Sequence, residues 1–273
     1  MQNGHPPPDT IQVELPRAPD ITGKVADGGK KQTGTADEGY DMNGEGIRDY
    51  RWVVIGDIHD GSIDSLAEIP ELAGADGLII TGDITNIGGA FEAARVLSVA
   101  RMHAPVVAAQ IGNMDKAEVA EFLNKEGVNI HAAVRPLAPG LAVMGIGGST
   151  PTPFATPSEF PEASYTAWLE HCWPAARQLG EHVLLVSHNP PKNTKCDVIG
   201  AGMHVGSEAV RAFIEKYQPA LCLCGHIHEA RAMDAIGATL VINPGAFDAG
   251  GYVVLKYTQG RITADLRMIK NHF

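Results

Sequence analysis

From Tyr50 onward the chain switches repeatedly between two hydrophobic periodicities. Short runs of β-branched and aliphatic residues, bounded by Gly, Pro or Asp, alternate with longer stretches in which apolar residues recur every three or four positions. That alternation predicts an α/β domain whose strands are joined by crossover helices. The predicted strands are RWVVIGD, GLIITGD, PVVAAQIGN, LAVMGIGG, HVLLVSH, ALCLCGH, TLVINPG, GYVVLKY and RITADLRMI. The predicted helices are SLAEIPELAG, AFEAARVLSVARM, KAEVAEFLNKE, the stretch from about Pro157 to Leu179, and SEAVRAFIEKYQ. In the C-terminal third, strands follow one another directly, which predicts hairpins and therefore a mixed sheet. No internal repeat or low-complexity run interrupts the domain.

The polar residues that end these strands do not look like packing. One strand stops at Gly56-Asp57-Ile58-His59, the next at Gly82-Asp83, the next at Gly112-Asn113, a later one at His188, and another at Gly225-His226-Ile227-His228. Ligands of α/β sheets bind outside the carboxyl ends of the strands, so residues distant in sequence can converge there. Asp and Asn oxygens with imidazole nitrogens, and no thiolate, suit borderline divalent metals: Mn, Fe, Zn, Ni or Co. The i, i+2 pairs Asp57/His59 and His226/His228 would project to one side of a strand end. Asp83, alone between the two pairs, is the natural bridging carboxylate. Glycine before Asp57, Asp83, Asn113 and His226 is expected to allow a tight turn and leave room for a ligand. Each residue alone is more often a surface turn or a satisfied core polar group. Five strand ends of one chemistry are not.

Composition narrows the partners. The 273 residues carry a formal net charge of -11, opposite to what neutralising nucleic-acid phosphates requires, so polymeric DNA or RNA is not an expected partner. No apolar run approaches the roughly 20 residues that span a bilayer, and MQNGHPPPDT lacks a secretory pattern, so a cytoplasmic protein without a membrane partner is expected. Residues 1–46 differ from the rest: rich in Gly, Pro, Asp and Thr, they hold -4 of the charge and leave -7 on residues 47–273. Such a composition predicts a disordered, dispensable tail, with Met42 as an alternative start, followed by one domain over residues 47–273. The cysteines, Cys172, Cys196, Cys222 and Cys224, show no CxxC spacing and are expected to be buried thiols, Cys222 and Cys224 on one face of a strand.

The ordered motifs DIH, GD, GN, H and GHIH resemble those of the calcineurin-like metallophosphoesterases over about residues 50–256. Within that superfamily, GDITNIGG, GGSTPTPF, the stretch from HNPP to HVGSEAVRAFIE, and QPALCLCGHIHEAR look most like the Icc-related predicted phosphoesterases. The resemblance implies a four-layer αββα sandwich with two central mixed sheets flanked by helices. It also implies two divalent ions, Mn favoured: Asp57, His59 and His228 on one, Asn113, His188 and His226 on the other, Asp83 bridging. A metal-bridging hydroxide would attack phosphorus in line, without a covalent enzyme intermediate, and Asn113 would also contact the phosphate as a catalytic and substrate-binding residue.

The chain departs from that pattern at Gly112-Asn113-Met114-Asp115. Most members carry His directly after the GN pair, and Met cannot donate a proton. The loss of general acid help, worth about a hundred- to ten-thousand-fold, favours good leaving groups or calls for another donor. Because relatives without this His are often phosphodiesterases, a small-molecule phosphodiester is the expected substrate. A phosphomonoesterase and a non-catalytic scaffold of the same fold are the alternatives. His204, in the loop GAGMHVGS, is the candidate substitute acid and phosphate contact. Alternatively, it packs in a loop whose Ser207 caps the next helix. Residues 147–160, GGSTPTPFATPSEF, form either a substrate-side rim built from Ser149 to Phe154, with Ser149 a substrate contact, or a Pro-stiffened surface loop with Ser158 near a helix start. Asp60 is expected to shape the turn into Gly61 or to support the ligands, and Asn243-Pro244-Gly245 to form a turn beside the site. His103, His131, His171, His182 and His272 match no motif and are read as ordinary histidines.

Overall fold

The computed structural model describes residues 48–270 apart from Ser62 and Ala201, together with the backbone of residues 11–14. The first half of the domain runs β2 (Tyr50–Ile55), β3 (Gly77–Ile80), α1 (Ala90–His103), β4 (Val107–Ala109), α2 (Ala117–Lys125), β5 (Ala133–Ala138) and β6 (Leu141–Ile146), with β1 (Ile11–Glu14) preceding it. The second half runs α3 (Glu162–Leu179), β7 (His182–Ser187), β8 (Val198–Ile199), β9 (Met203–His204), α4 (Glu208–Tyr217), β10 (Leu221–Leu223), β11 (Ala232–Ile236), β12 (Thr239–Asn243), β13 (Gly251–Thr258) and β14 (Arg261–Met268).

These strands build two six-stranded mixed sheets, ordered β1-β14-β13-β2-β3-β4 and β11-β12-β10-β7-β6-β5. In the first, β2, β3 and β4 are parallel, while β13 joins β2 antiparallel. In the second, β6, β7, β10 and β12 are parallel, with β5 and β11 antiparallel at the edges. Both sheets are covered on both faces, which is why their central strands read as unbroken apolar runs. Along β2, Val53 and Ile55 pack outward with Val96, Leu97, Val119 and Leu123 of α1 and α2. Trp52 and Val54 point inward with Val143, Leu184, Val186 and Leu223 of the other sheet. Beyond the second sheet, Leu185, Cys222 and Val241 pack with Tyr165, Leu169, Val210 and Phe213 of α3 and α4. The result is an αββα sandwich, in which each buried large aliphatic side chain contributes about 1.5–3 kcal/mol. All four cysteines are buried free thiols.

All nine expected strands form, and the departures have local causes. SLAEIPELAG is not an α-helix but two 3-10 segments, Ile63–Glu68 and Pro70–Leu72, because Pro70 has no N–H to continue a helical ladder. The helix expected from Pro157 starts only at Glu162, because Ser149 pairs with the stretch before it: Ser149 N–H donates to Ser158 O at 3.1 Å and Phe160 N–H to Ser149 O at 2.8 Å. Strands β5, β8, β9 and β11 lie at edges or in a two-stranded hairpin and were not legible. Within the tail expected to be disordered, Ile11–Glu14 pairs antiparallel with β14, a short alternating run extending an open sheet edge. The rest of that tail, Met42 and His272 lie outside the described residues. Among the described residues no helix is long and apolar enough to cross a membrane.

One buried polar side chain ties the two sheets together at the end where the parallel strands finish. Gln110, fully buried just past β4, points its Nε2 at Thr81 O (3.0 Å) beyond β3, Ile146 O (3.1 Å) on β6 and Val186 O (3.3 Å) on β7. Gln110→Leu should keep the volume but strip these carbonyls of their donor, lowering stability by about 1–3 kcal/mol in urea unfolding. An unchanged midpoint would show that the sheets align without it.

Candidate metal centre

The parallel strands of both sheets end at the same edge of the sandwich, and the loops beyond them carry the candidate ligands. Past β2 the backbone stays zipped to the loop past β3: Asp57 N–H donates to Gly82 O (3.0 Å), and the N–H groups of Ile58 and His59 both donate to Asp83 O (2.8 and 3.0 Å). From the second sheet, Gly225 N–H donates to His188 O at 3.0 Å, joining the loops past β10 and β7. Reversing direction within one residue forces left-handed backbone on side chains that disfavour it: φ is 53° at Asp57, 49° at His59, 61° at Asp60, 47° at Asp83 and 69° at His226. Concentration of that strain at one edge marks a functional site.

The donors converge in two groups drawn from both sheets, Asp57/His59/His228 and Asp83/His188/His226, with the ligand atoms of each within 4.8 Å of one another. In the first, the Nε2 atoms of His59 and His228 face each other at 3.0 Å, and Asp57 Oδ1 is 3.5 Å from His228 Nε2. Asp83 Oδ2 stands between the groups, 3.3 Å from His188 Nε2 and 3.6 Å from His59 Nε2. Asn113 Oδ1 joins the second at 3.1 Å from His188 Nε2. All seven expected ligands are therefore assembled. Two features fit this set to a pair of divalent ions. Asp57 Oδ2 is buried with no hydrogen-bond partner, and two imidazole nitrogens meet where a single proton at most can sit between them. Nitrogen and oxygen donors without thiolate complete the fit.

The electrostatics follow from crowding these charges in a largely buried seam. Burial alone would push the His188 imidazole down, yet the adjacent Asp83 carboxylate raises it to about 9. Against its own burial, Asp83 is held below the usual carboxylate range by His188 and His59. Burial, then the charge of His188, takes His226 down to about 4, while the contact with Asp57 raises His228. Exposure is graded: the His228 side chain is 45% and the His59 side chain 22% exposed, whereas that of His188 is fully buried. The His59/His228 side is therefore the open side of the centre.

The ligands are themselves held. Met114 N–H donates to Asp83 Oδ1 (2.8 Å), leaving Oδ2 for the seam, and His226 N–H donates to Asp57 Oδ1 (2.9 Å). Asp115 ties the loops past β3 and β4 together by accepting from the N–H groups of Ile84 (3.1 Å), Thr85 (2.7 Å) and Gly112 (2.8 Å) and from the Thr85 hydroxyl (2.8 Å). Burial and the nearby Asp83 charge raise the Asp115 carboxyl to about 7. Thr156 Oγ1 accepts from Asn113 Nδ2 at 3.0 Å and so aims the Asn113 oxygen at His188. Neither Thr156 nor Gln110 carried a signal in the sequence; Asp115 stood in the GNMD motif without an assigned role.

Other expectations are placed differently. Ser149 is fully buried, its hydroxyl donating to Thr150 O (2.9 Å), so the loop 147–160 reaches the site through Thr156 and not through Ser149. Ser158 donates to Asp115 O at 2.5 Å and does not start the helix. Asp60 ties its loop to the loop past β3 by accepting from Asn86 N–H (3.0 Å), a tie between two loops and not within its own turn. Asn243 also orders a turn, with Nδ2 donating to Ile227 O (2.9 Å) and Oδ1 accepting from Gly245 N–H (2.8 Å). Ser207 does cap α4, accepting from Val210 N–H at 3.1 Å. His204 belongs to the β8–β9 hairpin, where its Nδ1 lies 2.7 Å from the buried Asp197 Oδ1. Lastly, the room left by glycine is filled by the protein's own carboxylates. A Cβ at Gly112 would lie 2.0 Å from Asp83 Oδ1, and one at Gly225 would lie 2.5 Å from Asp57 Oδ2.

Residues 50–230 match the family described as calcineurin-like phosphoesterase. An uncharacterised protein of Methanocaldococcus jannaschii, MJ1162, is 36% identical over 196 residues, 70% of this chain and 86% of that one. Among solved structures, TT1561 of Thermus thermophilus aligns with a TM-score of 0.58 at 18% identity, covering 77% of this chain and 97% of its own. A dimetal phosphatase of Danio rerio aligns with a TM-score of 0.52 at 14% identity, covering 78% of this chain and 96% of its own. At these identities the structural likeness is one of fold.

Gly112→Ala should displace the Asp83 carboxylate and reduce bound metal below two equivalents by elemental analysis, with the far-UV circular dichroism preserved. Two full equivalents would refute Asp83 as a shared ligand. Because His188 in the metal-free protein stays protonated up to about pH 9, metal uptake at neutral pH must expel its proton. Calorimetric Mn titration in buffers of different ionisation enthalpy should therefore register proton release, with affinity rising from pH 6 to about 9. A pH-independent affinity would contradict that.

Proposed function

The chain belongs to the calcineurin-like phosphoesterase family, and on that premise we propose that it is a binuclear metal-dependent phosphohydrolase acting on small-molecule phosphodiesters. One observation carries the reading: Asp83 Oδ2 stands within 3.3 Å of His188 Nε2 and 3.6 Å of His59 Nε2, between two separate donor groups. Such a carboxylate is suited to sharing its oxygen between two ions. Bound ions, Mn favoured over Fe, Zn, Ni or Co, supply an acidified water and neutralise charge on the phosphoryl oxygens.

The chain's own contribution is positioning. Asp57, His59 and His228 would hold one ion, and Asn113, His188 and His226 the other, with Asp83 common to both. Asn113 is oriented by Thr156, and the open His59/His228 side admits the phosphoester. The leaving alkoxide needs a proton that Met114 cannot give. His204 is the proposed donor: Asp197 accepts its Nδ1–H at 2.7 Å, so Nε2 is the nitrogen free to deliver a proton. Asp197 is itself pinned by the N–H groups of Asn193 (3.1 Å), Thr194 (2.8 Å) and Gly206 (3.0 Å), which fixes the ring. The β8 strand of that hairpin packs against the His228–Ala230 turn, on the open side of the centre. Met114, in place of a protonating histidine, supports diesters over monoesters.

The metal-reconstituted protein should turn over bis(p-nitrophenyl) phosphate faster than p-nitrophenyl phosphate, and Asp83→Asn should abolish both activities. Faster monoester turnover would make it a phosphomonoesterase. Absence of both bound metal and turnover would make it a scaffold. His204→Ala should slow esters of poor leaving groups by about a hundredfold or more while sparing p-nitrophenyl esters. An unchanged slope against leaving-group pKa would remove His204 from the mechanism.

A further inference from the structure

Asn113 differs from the carboxylates around it. Its carboxamide carries an acceptor oxygen on one side and a donor NH2 group on the other, and only the oxygen can hold a cation. Nδ2 lies 3.0 Å from Thr156 Oγ1, and Oδ1 lies 3.1 Å from His188 Nε2. A hydroxyl both donates and accepts, so Thr156 by itself would serve either end of the amide equally well. The choice is made one side chain further out. Thr156 Oγ1 also lies 2.6 Å from Glu159 Oε1, which accepts in addition from Thr156 N–H (2.7 Å) and from the Thr152 hydroxyl (2.6 Å). Burial raises the Glu159 carboxyl, but these hydrogen bonds from Thr152 and Thr156 outweigh it and take it down to about 2. At neutral pH Glu159 has no proton to give, and the single hydroxyl proton of Thr156 goes to it in a charge-assisted bond. Lone pairs alone then face Asn113, which turns its NH2 to Thr156 and its oxygen to His188. The segment that carries Glu159 is docked on the same loop by its backbone: Ser158 N–H donates to Asn113 O at 3.0 Å, and the Ser158 hydroxyl donates to Asp115 O at 2.5 Å.

We propose that Glu159 is a positioning residue for the metal centre: its carboxylate fixes the proton of the Thr156 hydroxyl and so commits the Asn113 oxygen to the ion held with His188 and His226. This role rests on the two-ion reading of the centre. Without Glu159, the Thr156 hydroxyl can donate to the Asn113 oxygen instead, and the carboxamide can flip without losing a hydrogen bond to Thr156. Its NH2 group would then face the ion and repel it. A carboxylate that touches no candidate ligand thus selects which atom of Asn113 is presented to the seam, through one hydroxyl and two hydrogen bonds.

Two measurements on the full chain test this without turnover. By calorimetric Mn titration, Glu159→Ala and Thr156→Val should each weaken one of two bound ions by about ten- to hundredfold, while Thr156→Ser, which keeps the hydroxyl, should bind as the unaltered protein does. The double variant should be no weaker than either single one, because both remove the same link. In the metal-free protein, nuclear Overhauser contacts should join the Asn113 carboxamide protons to the Thr156 methyl group. Glu159→Ala should diminish them and leave the contact between Ser158 N–H and the Asn113 backbone in place. Losses that multiply in the double variant, failure of Thr156→Ser to bind normally, or loss of the Ser158 contact would make Glu159 a brace of its loop and overturn the proposal. So would carboxamide contacts or Mn affinity unchanged in Glu159→Ala, and two Mn bound by the unaltered protein would then leave the binuclear centre standing. Fewer than two Mn in the unaltered protein, with carboxamide contacts that do respond to Glu159→Ala, would keep the orienting role and overturn the binuclear centre.

Discussion

Two buried carboxylates, Asp57 and Asp83, face imidazoles across the seam between two sheets, and the rest of the molecule serves that juxtaposition. A buried charge without a partner is strongly destabilising, so the partners must be held in place before any ligand arrives. Asp57 and Asp83 come from the first sheet, and His188, His226 and His228 from the second. The apolar layer between the sheets, where Trp52 and Val54 meet Leu184 and Val186, therefore sets the site's geometry as much as the ligands do. Gln110 finishes that alignment by spanning strand ends of both sheets in one amide.

Crowding spreads the titrations of neighbouring groups. His188 is raised to about 9 and His226 lowered to about 4 although their ring centroids are 5.3 Å apart. The His188 imidazole, raised by Asp83, gives that buried carboxylate an oppositely charged partner. Holding a divalent ion at His188 would require loss of its proton, which would link the protein's charge state to its metal content.

Strain is distributed by the same logic. Left-handed backbone on Asp57, His59, Asp83 and His226 is the local consequence of turning ligands inward immediately after buried strands. Ile87 and Ala155 carry similar strain without being candidate ligands, and Ile87 N–H donates to the carbonyl of Met114, the motif position where this chain departs from its family. The loop that contributes Thr156 and Phe154 is the segment whose Ser149 looked most like a substrate contact. Ser149 is instead a buried staple that pairs with residues 158 to 160 and delays the following helix.

The sequence by itself determined the α/β class, nine of the strands and the seven candidate ligand residues that the fold brings together. Strands buried on both faces are written as unbroken apolar runs, and ligand chemistry restricts which residue types can end them. It did not reveal the edge strands β5 and β11, whose half-buried patterns carry weak periodicity, nor the two 3-10 segments, where Pro70 overrides helical patterning. Only the tertiary structure decided that Asp115, Gln110 and Thr156 hold the site and that Ser149 is sealed off. Those roles depend on distances between loops from different strands. Nothing local in the chain encodes such distances, because they arise only once the two sheets pack and bring their carboxyl ends to a common edge.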